Sequence, residues 1–365
     1  MKIKKLFVDA DIEPHPETKV ICKAIGLPAE TITDPGSLYR WINQSSDPIR
    51  LGKQTLYLTR NKGDFLKACP GTKEYTCCDY QILHVASFCF LDCSYCILQS
   101  YFHPPMLQFF VNREDLDREL TVFFDRGHRK RVGTGEFTDS LIWEKWTDLN
   151  AFLVTRFSEQ SRAVLELKTK TVNIERLEAL NHNRKTILSW SLNTPTVIAS
   201  EERFTAPLRS RLEAANRCQS WGYPVSFHFD PMVLYKGCEA EYKEVVRAIF
   251  DYVLPENIVW ISLGTFRFMP SLKPILAERF PSSKIAYGEF ITGLDNKMRY
   301  FKPLRIRLYQ KMVSWIREIA PDVTVYFCME DEEVWEKSTG LIPEPEGGLG
   351  RLLDKSAAVI CGLDP

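Results

Sequence analysis

Short runs rich in β-branched and aromatic residues alternate along this chain with longer stretches whose apolar positions recur every three or four residues. The strand-like runs are Ile82–Ala86, Arg129–Val132, Ala163–Leu167, Thr186–Ser191, Pro224–Phe229 and Asn257–Leu263. Between them the periodicity predicts helices over Arg113–Phe124, Trp143–Ser158, Ile174–Asn181, Pro207–Trp221 and Glu239–Val253. Such alternation implies parallel strands joined by right-handed helical crossovers. Six strands in this order make an α/β fold, a partial (β/α)6 barrel.

The flanks read differently. Residues 1–79 form an N-terminal α/β extension, with a strand near Lys5–Val8, a helix near Glu17–Ile25 and a polar stretch running into Leu56–Thr59. The barrel core spans 80–270. Residues 271–365 form a C-terminal α/β cap and substrate region: a long helix Pro303–Ile319, a strand Val323–Phe327, an acidic segment Glu330–Glu336 and a Pro/Gly-rich loop Pro343–Gly350.

Composition narrows the function classes. At 45% hydrophobic and 12% aromatic residues, 365 positions supply a sizeable core. Lys plus Arg equals Asp plus Glu at 47 each, so no global field draws nucleic acid and any such site is a local basic patch. The run from Arg126 to Arg131 is the candidate for phosphate contact. Eleven cysteines without the spacing of a secreted disulfide scaffold suit a reducing cytoplasm. Asp9, Asp11 and Glu13 fall where a signal peptide needs its apolar segment, and no stretch is long enough for a membrane span. A cytoplasmic location is expected.

Three of those cysteines carry the chemistry. Cys89, Cys93 and Cys96 stand in a C-x3-C-x2-C spacing with Tyr95 directly before the last. Three thiolates from one short loop hold three irons of a [4Fe–4S] cube and leave the fourth for a ligand other than protein. A structural zinc with His84 or His103 as fourth ligand is the competing reading, although zinc sites usually bring paired ligands from separate turns. Cys69, Cys77 and Cys78 lie just upstream and are candidates for an auxiliary site.

In α/β barrels ligand groups come from the C-terminal ends of strands. The second strand ends in Gly133-Thr134-Gly135-Glu136, glycines that let a ligand approach the backbone beside a carboxylate that suits an ammonium group. The third ends in Lys168-Thr169-Lys170, where either lysine can pair with a carboxylate as a point charge. The fourth supplies Ser191 and Asn193, suited to a ribose or carboxylate. The fifth supplies His228, a proton carrier or a barrel-lining hydrogen-bonding residue, and Asp230 before a proline.

The cysteine spacing with its aromatic resembles the loop of radical S-adenosylmethionine enzymes, and the resemblance extends to the spore photoproduct lyase family. It is carried by Cys93-Ser-Tyr95-Cys96-Ile-Leu-Gln99, Trp190-Ser191-Leu192-Asn193-Thr194, Arg203 to Pro207, Arg211 to Ala215, Gly222-Tyr-Pro224, Arg299-Tyr300 and Tyr309-Gln310, covering roughly residues 75–315. The resemblance implies a [4Fe–4S] cluster on Cys89, Cys93 and Cys96, and S-adenosyl-L-methionine held through Gly133, Gly135, Glu136, Lys170, Ser191 and Asn193. It further implies a 5′-deoxyadenosyl radical acting on a pyrimidine photoproduct in DNA, with Arg299 and Tyr300 near the lesion; Tyr95 is a further catalytic candidate. A reducing electron donor such as flavodoxin or ferredoxin follows from the same likeness.

Two positions depart from the family. Its hydrogen-donor cysteine is Phe137 here, and the tyrosine after the last cluster cysteine is Ile97. Neither side chain readily donates a hydrogen atom; Cys218, Cys238 and Tyr95 are the substitutes the sequence offers. These departures keep two other readings open. One is a radical enzyme of the same scaffold acting on a modified nucleotide or small molecule. The other is a non-catalytic iron–sulfur or zinc nucleic-acid-binding protein, against which the strand-end pocket argues.

Overall fold

The computed structural model describes residues 2–71, 74–125 and 130–364. The chain opens with β1 (Lys5–Asp9), β2 (Ala29–Ile32) and β3 (Thr55–Thr59), all parallel, with helices Pro16–Ile25, Pro35–Asn43 and Pro48–Lys53 between them. Each helix starts with proline at its first position behind a His or Asp whose side chain accepts from the first turn. β4 (Leu66–Ala68) and β5 (Gln81–Leu83) then pair antiparallel and begin a second sheet. The chain returns to the first sheet for β6 (Ala86–Ser87) and β7 (Leu107–Phe110), giving the order β2-β1-β3-β7-β6. The N-terminal layer therefore takes in strands from both sides of the cysteine loop, which is held between the two sheets.

The remaining strands of the second sheet are β8 (Lys130–Gly133), β9 (Ala163–Thr169), β10 (Thr186–Ser191), β11 (Val225–Met232) and β12 (Ile258–Thr265). They run parallel to β5 in chain order, a curled half-barrel of six parallel strands. β13 (Arg267–Phe268), β14 (Phe290–Thr292) and β15 (Met298–Tyr300) form a small antiparallel sheet ordered β13-β15-β14. β16 (Val325–Phe327) adds a seventh parallel strand beside β12. Inward and outward faces of β9–β12 are both buried, as expected of a sheet covered by helices on one side and filled on the other.

The expected strands lie within a few residues of those found, and the differences are local. The helix expected over Trp143–Ser158 begins at Leu149, because residues 143–148 are a turn packed by Trp143 and Trp146. Ile174–Asn181 holds only the 3-10 turn Glu175–Leu177. Buried Ile174 and Leu177 are three apart, a spacing that a 3-10 turn presents on one side as well as a helix does. The loop expected over Pro343–Gly350 gives way at Gly348 to a helix, Gly348–Cys361.

Candidate active site

Past Ser87 the chain turns at Phe88, whose φ of 69° is uncommon for an aromatic residue. Packing holds that turn: Phe88 is fully buried and meets Phe102 edge-on at 6.3 Å. The loop that follows has little regular structure, so side chains must satisfy its backbone. Lys53, at the end of the helix Pro48–Lys53, donates to the carbonyls of Cys89 at 2.9 Å and Leu91 at 2.5 Å. Gln99 donates to the carbonyls of Cys93 at 3.2 Å and Ser94 at 2.9 Å. Asp92 receives Arg279 at 3.2 Å and stands 3.6 Å from the Lys53 ammonium. Ser94 bonds Glu201, and the Tyr95 hydroxyl bonds Glu202.

Cys89 and Cys93 are buried and Cys96 is half-buried. Burial first, then the carboxylate of Asp139, push the Cys89 thiol up to about 12, while Lys53 opposes. Cys93 is raised by burial and by Glu202, with Lys170 opposing and the other two loop cysteines adding. Metal ligation needs thiolates, and this pocket penalises uncompensated ones at Cys89 and Cys93. A cationic iron–sulfur centre against them, with Lys53 and Lys170 alongside, offsets that penalty, so the donor set fits the cluster. Among the described residues no three His, Cys, Asp or Glu side chains converge on a single ion. His84, offered as a zinc ligand, instead bonds Ser87 at 2.8 Å and Lys67 at 3.2 Å. Cys69, Cys77 and Cys78 likewise form no auxiliary ion site among the described residues.

The strand ends gather beside this loop. A Cβ on Gly133 would fall 1.6 Å from the Tyr80 hydroxyl, and one on Gly135 2.7 Å from Lys168 Cβ. These glycines are thus required by protein packing, whatever else approaches them. Glu136 pairs with Lys168, whose amine is raised because Glu136 and Glu166 outweigh its desolvation. Lys170 turns instead to the cysteine loop, with Nζ 5.7 Å from the Tyr95 ring centroid and 4.0 Å from Glu202. The two lysines that spacing left equivalent are thereby distinguished.

Glu202 also binds fully buried Arg211, which donates to the Ser191 carbonyl at 2.7 Å. Asp139 receives Thr169 at 2.8 Å and the Lys170 amide at 2.8 Å, tying the 134–141 loop to β9. Asn193 has its amide engaged by the Pro231 carbonyl at 2.7 Å and the Tyr242 hydroxyl at 2.9 Å. Asn193, just past β10, thereby ties that strand end to β11 and to the helix that carries Tyr242.

Inside the barrel, Glu166 collects Tyr80 at 2.8 Å, Ser189 at 2.6 Å, Ser226 at 3.2 Å and His228 at 2.7 Å. His228 and the other donors outweigh the burial that would raise this carboxyl, and hold it ionised far below the usual range. His228 is therefore a barrel-lining partner. Asp230 forms a bidentate pair with Arg267 at 3.1 and 3.2 Å.

Tyr300 is buried in an apolar cluster that includes Cys93, Tyr95, Phe266 and Phe268, and it stacks on Phe290 at 4.4 Å. It reaches the neighbourhood of the cysteine loop. Arg299 points elsewhere: its guanidinium is 2% exposed, bonds Asp295 at 2.7 Å and the Met329 carbonyl at 3.0 Å, and covers the Tyr75 ring at 4.1 Å. Protein groups thus engage its donors at the position where the family resemblance expects the lesion.

Phe137 lies among His84, Tyr101 and Phe102, with ring centroids 4.7 to 6.0 Å apart. Of the substitute donors, Cys218 is buried within the crossover helix Leu208–Ser220, while Cys238 is buried at the start of the helix Cys238–Tyr252, just past the end of β11. Residues 126–129 of the basic run lie outside the described residues, while Arg131 is buried against Asp354 at 2.7 Å and so is withheld from a phosphate backbone. Sequence reasoning missed Lys53, Glu202 and Arg279. Each reaches the cysteine loop from far along the chain, and no local pattern marks it.

Comparison with known proteins agrees with this geometry. The family model described as spore photoproduct lyase matches residues 47–303. The spore photoproduct lyase of Clostridium acetobutylicum is 27% identical over 257 residues, 69% of this chain and 71% of that one. The spore photoproduct lyase of a Geobacillus strain is 23% identical over 282 residues, 76% of this chain and 75% of that one. Among solved structures, a spore photoproduct lyase complexed with dinucleoside spore photoproduct has the same fold, with a TM-score of 0.76 at 20% identity over 89% of this chain and 99% of that chain. With a family model matching well over half of its length, this chain belongs to the spore photoproduct lyase family of radical S-adenosylmethionine proteins.

Proposed function

We propose that this protein is a radical S-adenosylmethionine lyase acting on a pyrimidine photoproduct in DNA. The observation that carries the reading is the clamped Cys89–Cys96 loop set beside Glu136, Lys170 and Ser191 at the mouth of the half-barrel. Cys89, Cys93 and Cys96 hold a [4Fe–4S] cluster that, with S-adenosylmethionine bound, supplies a 5′-deoxyadenosyl radical. Lys170 takes the cosubstrate carboxylate and Glu136 its ammonium group, after exchanging part of its pairing with Lys168. Ser191 meets the ribose or carboxylate. Tyr95 backs the cluster and Tyr300 walls the substrate side. The relative solved with bound AdoMet and dinucleoside spore photoproduct supports this choice of cosubstrate and lesion. A flavodoxin or ferredoxin supplies the electron.

The test is anaerobic reconstitution with iron and sulfide, then dithionite, S-adenosylmethionine and DNA carrying the spore photoproduct. 5′-Deoxyadenosine formation and loss of the lesion are expected. Absence of 5′-deoxyadenosine overturns the enzyme reading. Its formation with the lesion intact moves the substrate to another molecule, the reading that Phe137 in place of a thiol favours. A Cys93→Ala variant is expected to lose the absorbance of the cluster and the cleavage of the cosubstrate together.

A further inference from the structure

The helix Pro48–Lys53 belongs to the N-terminal layer, yet its last side chain ends inside the cysteine loop. Lys53 is 1% exposed. Its ammonium meets the carbonyls of Cys89 and Leu91, the carboxylate of Asp92 at 3.6 Å and the face of the Phe88 ring at 4.9 Å. The helix cannot withdraw easily. A Cβ on Gly52 would lie 1.7 Å from the Pro105 carbonyl oxygen, so the helix backbone rests directly on the segment after the loop.

Lysine is rarely buried to this extent without a paired charge. The carboxylate available to it, Asp92, is shared with Arg279, which also reaches Asp47 at 3.4 Å. Across the loop, Lys170 and Arg211 face the single carboxylate of Glu202, and Asp139 adds one more negative charge beside Cys89. Lys53 is the member of this set bound to the carbonyl of a cluster cysteine. A fixed positive charge in a low-dielectric pocket acts strongly on a neighbouring centre whose charge changes by one electron.

We propose that Lys53 is a positioning residue for the cluster: it fixes the Cys89–Asp92 backbone and raises the reduction potential of the cluster bound there. The inference rests on the cluster reading above, and it makes the N-terminal layer part of the redox site.

The experiment is a redox titration of the anaerobically reconstituted full-length protein, followed by electron paramagnetic resonance, on wild type, Lys53→Gln, Lys53→Met and Lys53→Arg. Gln keeps a donor for the carbonyls and removes the charge; Arg keeps the charge. At a fixed applied potential, Lys53→Gln is expected to hold about tenfold less reduced relative to oxidised cluster, a shift of about 59 mV for one electron. Lys53→Arg is expected to remain near wild type. Lys53→Met is expected to take up less iron per folded chain, folding being checked by circular dichroism. Lys53→Gln and Lys53→Met that load fully at the wild-type potential overturn the proposal. Failure of the wild type itself to form a cluster overturns the cluster reading instead, so the two failures are distinguishable.

Discussion

Glu202 shows how one side chain organises a site that no motif announces. Burial alone would raise its pKa, but Lys170 and Arg211 outweigh burial and hold it below the ordinary carboxylate value. Replacing it by Gln leaves Arg211 buried without its anion. Glu202→Gln is therefore expected to destabilise the fold by about 3–5 kcal/mol, read from urea denaturation. A group with a depressed folded pKa stabilises above its unfolded value, and that contribution is lost as pH falls through the folded value. For Glu202 the loss comes in acid, below the ordinary carboxylate range.

His84 behaves as the matching case for a base: burial first, then Lys67, lower it to about 4. Between about 6.5, its ordinary value, and 4 the unfolded chain takes up a proton that the native state refuses. Stability is then full above that window and falls as pH drops through it. His84→Gln is expected to flatten the decline in melting temperature between neutral pH and pH 4.5, measured by calorimetry.

At the scale of elements, the strands were legible because β9 to β12 are short runs rich in β-branched, aromatic and leucine residues, set between longer helical patterns. Their ends were legible as well, since barrel ligands sit there by topology. The exact uses of those ends were not. Gly133 reads like a ligand-approach glycine, yet it makes room for Tyr80 and thereby for the Tyr80–Glu166 bond. Gly133→Ala is expected to cost about 1–3 kcal/mol by overpacking, seen as a lower urea midpoint. The three-stranded sheet was invisible because its strands are two or three residues long, too short to show alternation.

For the whole molecule, the C-terminal helix Gly348–Cys361 closes the end of the barrel opposite the cysteine loop. Its buried residues Leu349, Leu353, Ala357 and Cys361 recur every fourth position. Lys185, just before β10, donates to the carbonyls of Cys361 and Gly362 at 2.7 Å each and so caps the helix. Lys185→Met is expected to speed amide hydrogen exchange across 348–361 while leaving reconstituted iron content unchanged. Equal loss of iron would show that the two ends of the barrel are not separable units. Among the described residues no helix is long and apolar enough to cross a membrane.

The sequence by itself determined the barrel, the three-cysteine loop and the family, because strand periodicity and close cysteine spacing are local properties that survive without coordinates. It also showed the departures at Phe137 and Ile97. Only the tertiary structure decided which lysine faces the loop, which protein groups engage Arg299 and Asn193, and that Lys53, Glu202 and Arg279 reach the cysteine loop. Those assignments depend on buried polar and charged groups meeting from separate elements, Arg279 and Asp92 across 187 residues of chain. Burial makes such partners obligatory, but nothing in their local spacing says who the partner is.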